Sequence, residues 1–218
     1  MWRPHLTAGA FAGAASAVPG GPAARAAAAG PAFSGYFNSV APTSASDAWA
    51  IGYTGPRTYK TVIARWNGTS WARVPSPSPA RHDVLFGVAA TSVRSAWAVG
   101  VAGNPGSLRS KTLILRWTGR AWTRVPSPAP GAGGTLNAVA ATSARNAWTV
   151  GFTGSNQSLL LHWNGAAWTH VTSPAGARAS SLMFGVGATS ARDVWAVGDT
   201  LSGGMKTLIL HWNGTAWK

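Results

Sequence analysis

The chain is expected to be all-β: a β-propeller built of four four-stranded blades of about 48 residues each, open or truncated rather than a complete ring. Three observations predict this. Twelve of the thirteen Trp fall into four triplets, at 49, 66 and 71; 97, 117 and 122; 148, 163 and 168; and 195, 212 and 217. The first Trp of each triplet recurs after 48, 51 and 47 residues, and the second and third are always five apart. Each unit also divides into four short runs rich in β-branched and aromatic residues, bounded by Gly, Pro, Ser or Asn, as strands are. Finally, Leu159-Leu-Leu161 is apolar without alternation, so both faces of its strand should be buried, as in sheets stacked between similar sheets.

The elements follow in order. Residues 1–30 read as a secretory signal: a basic start with Arg3, an uncharged run from Leu6 to Val18, and Ala-x-Ala choices near Ala26–Ala29. The alternative is an Ala/Gly-rich leader without structure. The run is too short for a membrane span, and no other segment is long and apolar enough for one. The product is therefore expected to be secreted. Residues 31–36 form a linker, followed by blade 1 (37–84), blade 2 (85–135), blade 3 (136–181) and a truncated blade 4 (182–218). In blade 2, strand A is Leu85–Ser92, B is Ala96–Gly100, C is Thr112–Trp117 and D is Ala121–Val125. The C–D joint reads Trp-Asn-Gly in three units and Trp117-Thr-Gly in the other, which suits a tight hairpin because Asn-Gly adopts positive φ at little cost. Strand D runs into Val74-Pro-Ser-Pro77 and Val125-Pro-Ser-Pro128. Proline donates nothing to a ladder, so D belongs at a sheet edge.

These motifs resemble the blades of secreted bacterial β-propellers of the broad Kelch, Asp-box and tectonin group. Asp193-Val-Trp-Ala-Val-Gly198 is similar to a tectonin-type second strand, and Trp212-Asn-Gly-Thr-Ala-Trp217 to a degenerate Asp-box hairpin. The Ser-x-Asp-x-Gly of a true Asp-box is missing, and the Kelch Gly-Gly doublet is reduced to single glycines at 52, 100, 151 and 198. The resemblance spans residues 37–218 and implies a fold far more than an activity.

The recurring Trp read first as packing between neighbouring blades and only second as a platform for sugar rings, because a packing role is what repetition in every unit requires. Basic residues recur too. Arg94, Arg145 and Arg192 stand three before the first Trp, where the first unit has Ser46; Arg65, Arg116, His162 and His211 precede the second Trp. All fall near the A–B turn or the C–D hairpin, which emerge on one face, so a basic annulus is expected there. For the residues preceding the second Trp the favoured role is an inter-blade hydrogen bond. For Arg94, Arg145 and Arg192, anion binding and a solvated turn charge weigh about equally. The B–C connections emerge on the opposite face and vary most in length, so Tyr53, Tyr59 and Asp199 join the three Arg as candidate ligand contacts.

Charge limits the function classes. Lys+Arg is 18 against 4 Asp+Glu, giving +14, or +12 once residues 1–30 leave with Arg3 and Arg25. Glu and Cys are absent, so disulfides, thiolate zinc sites and cysteine nucleophiles are excluded. Asp47 and Asp193 occupy equivalent turns, and Asp83 and Asp199 stand alone, so the carboxylate pair of a glycosidase is not in evidence. His162 and His211 are equivalent by repetition, without metal-ligand spacing. No enzyme, cofactor or metal is expected. The expected role is an exported binding module for carbohydrate or an anionic cell-envelope polymer, or alternatively a protein–protein interaction scaffold; a glycosidase-like protein lacking its carboxylates comes last. No nucleic-acid motif appears, and open blade faces would drive self-association.

Overall fold

The structure, a computed structural model, describes residues 34–128, 131, 133–174, 180–201 and 204–218. The predicted leader lies outside them. The described residues form fifteen strands in four antiparallel sheets and no helix. Sheet 1 holds β1 (Tyr36–Ser44), β2 (Asp47–Thr54), β3 (Lys60–Trp66) and β4 (Trp71–Val74). Sheet 2 holds β5 (Asp83–Ser92), β6 (Ser95–Ala102), β7 (Lys111–Trp117) and β8 (Trp122–Arg124). Sheet 3 holds β9 (Thr135–Ser143), β10 (Asn146–Phe152), β11 (Ser158–Trp163) and β12 (Trp168–His170). Sheet 4 holds β13 (Ser181–Ser190), β14 (Asp193–Thr200) and β15 (Lys206–Trp212), and its fourth strand is reduced to a bridge between Trp212 and Trp217. Within each sheet the strands pair in chain order, which leaves the short fourth strand at an edge, as the prolines require. The four sheets form an open arc.

Three apolar clusters join sheet 1 to 2, 2 to 3, and 3 to 4. Each is built around one tryptophan triplet drawn from two blades. Trp49 lies 4.8 Å from Trp117 and 5.1 Å edge-on from Trp122; Trp97 meets Trp163 and Trp168 at 5.0 and 5.1 Å; Trp148 meets Trp212 and Trp217 at 4.9 and 5.1 Å. Truncating a buried Trp to Ala costs about 3–5 kcal/mol, so these three joints carry much of the fold. Leu159, Leu160 and Leu161 are all buried, with Leu160 facing one cluster and its neighbours the other. That is what their lack of alternation implied.

The Trp-Ala-Val-Gly glycine has a steric cause. A Cβ on Gly52, Gly100, Gly151 or Gly198 would stand 1.8–2.0 Å from a carbonyl oxygen of the first strand of the same blade. The first strands are irregular beside all four glycines, with register shifts at Phe37/Ser39, Leu85/Gly87, Leu136/Ala138 and Met183/Gly185, and only a residue without a side chain fits beneath them.

The C–D hairpin is tight, as expected, but Asn does not contribute to it through positive φ. Trp66 pairs with Trp71 across a four-residue loop, and in that loop only Gly68 has positive φ, at 96°. A type I′ turn needs two such residues. Asn67 acts instead through its side chain, accepting hydrogen bonds from the Thr69 and Ser70 amides at 3.0 and 2.9 Å. Asn164 and Asn213 do the same in blades 3 and 4.

Candidate functional site

The two ends of the blades carry different chemistry. At one end the A–B turn lies against the C–D hairpin of its own blade. Arg94, Arg145 and Arg192 are exposed there, and their side-chain stems pass within 2.9–3.4 Å of where a Cβ would stand on Gly119, Gly165 and Gly214. Each turn is held by a serine two residues earlier, whose Oγ accepts the Arg amide at 3.1–3.3 Å (Ser92, Ser143 and Ser190). The three arginines therefore recur at equivalent turns in blades 2, 3 and 4, where blade 1 has Ser46.

The cations before the second Trp are structural. Arg65 donates from Nε to Asp47 Oδ1 at 2.6 Å, lies 5.0 Å from the Trp49 ring centre, and reaches the Val93 carbonyl of the next blade at 3.2 Å. Arg116 stacks on Trp97 and Trp163 and reaches Ala144 O at 3.3 Å. His162 lies over Trp148 with its Nε2 2.8 Å from Asn146 Oδ1, and burial holds its imidazole below the ordinary histidine range. His211 and Asp193 repeat this over Trp195; the Thr189 hydroxyl, then His211, keep the Asp193 carboxyl below its ordinary value. The expected inter-blade hydrogen bond is thus present for Arg65 and Arg116, whereas the two histidines bond within their own blade.

At the other end, Tyr53 and Tyr59 are brought together. Tyr36 stacks on Tyr53 at 5.2 Å, Tyr53 meets Tyr59 edge-on at 5.1 Å, and Tyr59 meets His82 at 5.2 Å. Desolvation, then the neighbouring phenols of Tyr36 and Tyr59, raises the Tyr53 pKa. Tyr36 is 64% exposed and offers an open ring at the rim of this cluster. Asp199 does not join it: it sits on β14 in the fourth sheet, paired with Thr207.

A cleft of about 620 Å³ opens on blade 2, lined by Arg109, Lys111 and Arg124 with Thr112 and Ser127. The longest B–C connection makes it. The Ser110 hydroxyl donates to Ser107 O at 2.7 Å and accepts the Gly134 amide at 3.3 Å, which pins the loop to the chain entering blade 3. Thr112 and Ser127 hydrogen-bond through their hydroxyls and fold the Val-Pro-Ser-Pro segment back along β7. Blade 1 repeats that clasp with Thr61 and Ser76 at 2.8 Å, but there Lys60 is tied to Ala80 O at 2.6 Å. The repeat pattern groups Arg124, two residues after the third Trp, with Arg73 and His170 in the basic annulus, whereas the structure brings it beside Arg109 and Lys111, a meeting that depends on two loops folding together.

The acidic groups leave this positive field almost unopposed. Asp47 is bound by Arg65 and Thr43, and Asp83 is buried, accepting from Ser78 Oγ at 2.7 Å and the Ala80 amide at 2.9 Å. Among the described residues, one arginine alone is within ion-pair distance of a carboxylate.

Stacked four-stranded sheets joined in an open arc define a β-propeller-type protein. Among solved structures the chain is similar to YjhT, with a TM-score of 0.51 and 13% identity over 79% of this chain and 67% of that one. It is also similar to YCF48 bound to D1 peptide (TM-score 0.46, 13% identity, 85% and 82% of the two chains). A third similarity is to the GH74 xyloglucanase from Xanthomonas campestris (TM-score 0.47, 14% identity, 87% of this chain and 37% of that one). At such identities the likeness concerns fold alone. No protein-family model and no curated protein matches the chain.

Proposed function

We propose that the protein is an exported, non-catalytic binding module that holds an anionic polysaccharide or related anionic cell-envelope polymer. The observation that carries this reading is the blade 2 cleft, where three cations with no acidic partner among the described residues meet beside hydroxyl groups, in a chain that carries +12 once residues 1–30 leave. A polymer bearing regularly spaced negative groups suits such a surface, since Lys and Arg offer only donors and a long-range attraction. The tyrosine cluster on blade 1 adds an apolar ring face of the kind on which a pyranose stacks. The guanidinium row of Arg94, Arg145 and Arg192 is a second anionic contact, at the opposite end of the blades. In this reading the carboxylates are structural, since Asp47 and Asp83 serve turns and loop anchors.

The test is retention on heparin and teichoic-type matrices under a salt gradient. Replacing Arg109, Lys111 and Arg124 together by Ser should weaken binding about tenfold and lower the eluting salt, because exposed ionic contacts are salt-screened. The matching triple change at Arg94, Arg145 and Arg192 measures the second patch. Unchanged elution of the cleft variant refutes the assignment. Binding of neutral glycans that survives salt would make the protein a lectin of another kind, and co-purification of a protein without either would favour the scaffold.

A further inference from the structure

The linkers from blade 1 to blade 2 and from blade 2 to blade 3 are built alike, and one side chain sets them apart. Val74 to Asp83 and Val125 to Gly134 have the same length, and both begin Val-Pro-Ser-Pro. Asp83 and Gly134 also hold the same register, each two residues before the leucine, Leu85 or Leu136, that pairs with Gly100 or Gly151. Lys60 and Lys111 open the third strands beside them, and the Thr–Ser clasp follows each lysine.

At the first linker the chain supplies its own anion. Asp83 is fully buried, and its Oδ2 accepts Ser78 Oγ at 2.7 Å and the Ala80 amide at 2.9 Å. Lys60 Nζ donates to the Ala80 carbonyl at 2.6 Å, so a cation and a carboxylate both close on one linker residue. At the third linker two hydroxyls meet instead. Ser158 opens the strand, and its Oγ lies 2.5 Å from that of Ser181, which holds the register of Asp83. At the second linker the cations remain and the carboxylate is missing. Gly134 stands in the place of Asp83 and Ala129 in that of Ser78, so the acceptor and its side-chain donor are lost together. Gly131, in the place of Ala80, lines the cleft with Arg109, Lys111 and Arg124. Among the described residues, these three cations have no polar partner for their side chains.

We propose that a carboxylate of the ligand takes, in the blade 2 cleft, the place that Asp83 takes beside blade 1, and that the polymer is an acidic polysaccharide of uronate type. This rests on the reading of the cleft as an anion-binding site and names the anion. Arg109 and Arg124 suit a planar carboxylate, which a guanidinium meets with two parallel hydrogen bonds, and Lys111 adds a point charge. At about 620 Å³ the cleft has the size of small-molecule sites, so it has room for the pyranose that carries the group.

Titration calorimetry of the full chain with oligogalacturonate should show binding that weakens at least tenfold when the carboxyl groups are methyl-esterified. Gly134→Asp returns the internal carboxylate with all three cations in place. It should weaken oligogalacturonate binding about tenfold more than Gly134→Asn, which fills the same space without charge. Unchanged near-ultraviolet circular dichroism verifies the fold of both variants, and the comparison of ligands on the parent chain decides the matter if either misfolds. Equal losses from Asp and Asn, or polyphosphate or dextran sulfate bound as tightly as oligogalacturonate at matched charge, overturn the carboxylate. Polyglutamate bound as tightly overturns the sugar. Each of these results leaves the anion site standing; that reading fails instead if the Arg109, Lys111 and Arg124 triple variant binds every polyanion as the parent does.

Discussion

Replacing Gly100 by Ala should remove about 3–5 kcal/mol of stability, although the change adds one methyl group to a strand. The added Cβ would stand 1.9 Å from Val84 O and 2.9 Å from Leu85 Cα. Both obstacles are main chain, so no side-chain rotation relieves them, and β5 would have to retreat by about 1 Å. It has nowhere to go. Leu85 is fully buried in the cluster that joins blades 1 and 2, so the shift would open that joint as well as the β5–β6 ladder. Forcing a methyl into such a site costs about 1–3 kcal/mol, and each of two disturbed ladder hydrogen bonds adds about 1. Gly187→Ala is the control. Nothing lies within 4 Å of its Cβ, and Ala41, Ala89 and Ala140 hold the same register opposite the first Trp. That change should stabilise by about 0.4–1 kcal/mol, through a less flexible unfolded chain. Urea unfolding followed by tryptophan emission measures both. A loss below about 1 kcal/mol for Gly100→Ala would refute the close approach as the reason for the glycine.

One further outcome concerns a partly buried histidine and another the leader expected from the sequence. Because burial lowers the His162 pKa, the unfolded chain binds a proton near pH 6.5 that the folded one refuses, so stability from this group is present above that pH and lost as pH falls. The urea midpoint should drop between pH 7.5 and 5.5, the drop should shrink in His162→Gln, and an equal slope in both proteins would place the effect elsewhere. For export, mass spectrometry of secreted protein should find a mature N-terminus between about Ala24 and Phe33, and a product accumulating from Met1 or Trp2 would remove export from the proposal.

The fold was legible because its signals are local and repeated. Trp spacing, proline after the fourth strand and the unalternating Leu159–Leu161 each report on one blade at a time, and four copies average out the noise. The turn chemistry was less legible. Asn67-Gly68 suggests positive φ at both residues, yet the Trp66–Trp71 pair sets a four-residue loop in which only Gly68 adopts it and the Asn serves as a side-chain acceptor. The candidate site was legible in part. The variable connections pointed to the end where Tyr53 meets Tyr59, but Asp199 fell on a strand, and the cleft needed Ser110 to tie one loop to another 24 residues on.

The tryptophans show why repetition both reveals and conceals. A periodic sequence states that each unit supplies one giving and two receiving Trp, but it reads the same whether a Trp meets the pair in its own unit or in the next. Distance along the chain favours the first choice, since Trp49 is 17 residues from Trp66 and 68 from Trp117. The structure takes the second, because the giving side chain and the hairpin pair project from opposite faces of one sheet. Adjacent strands place their partners in register, so Trp49 pairs with Arg65 and leaves Trp66 on the other face, and period-two alternation alone separates the two functions. Each triplet is therefore completed by a neighbour. The same one-blade offset fills all three joints between the described sheets.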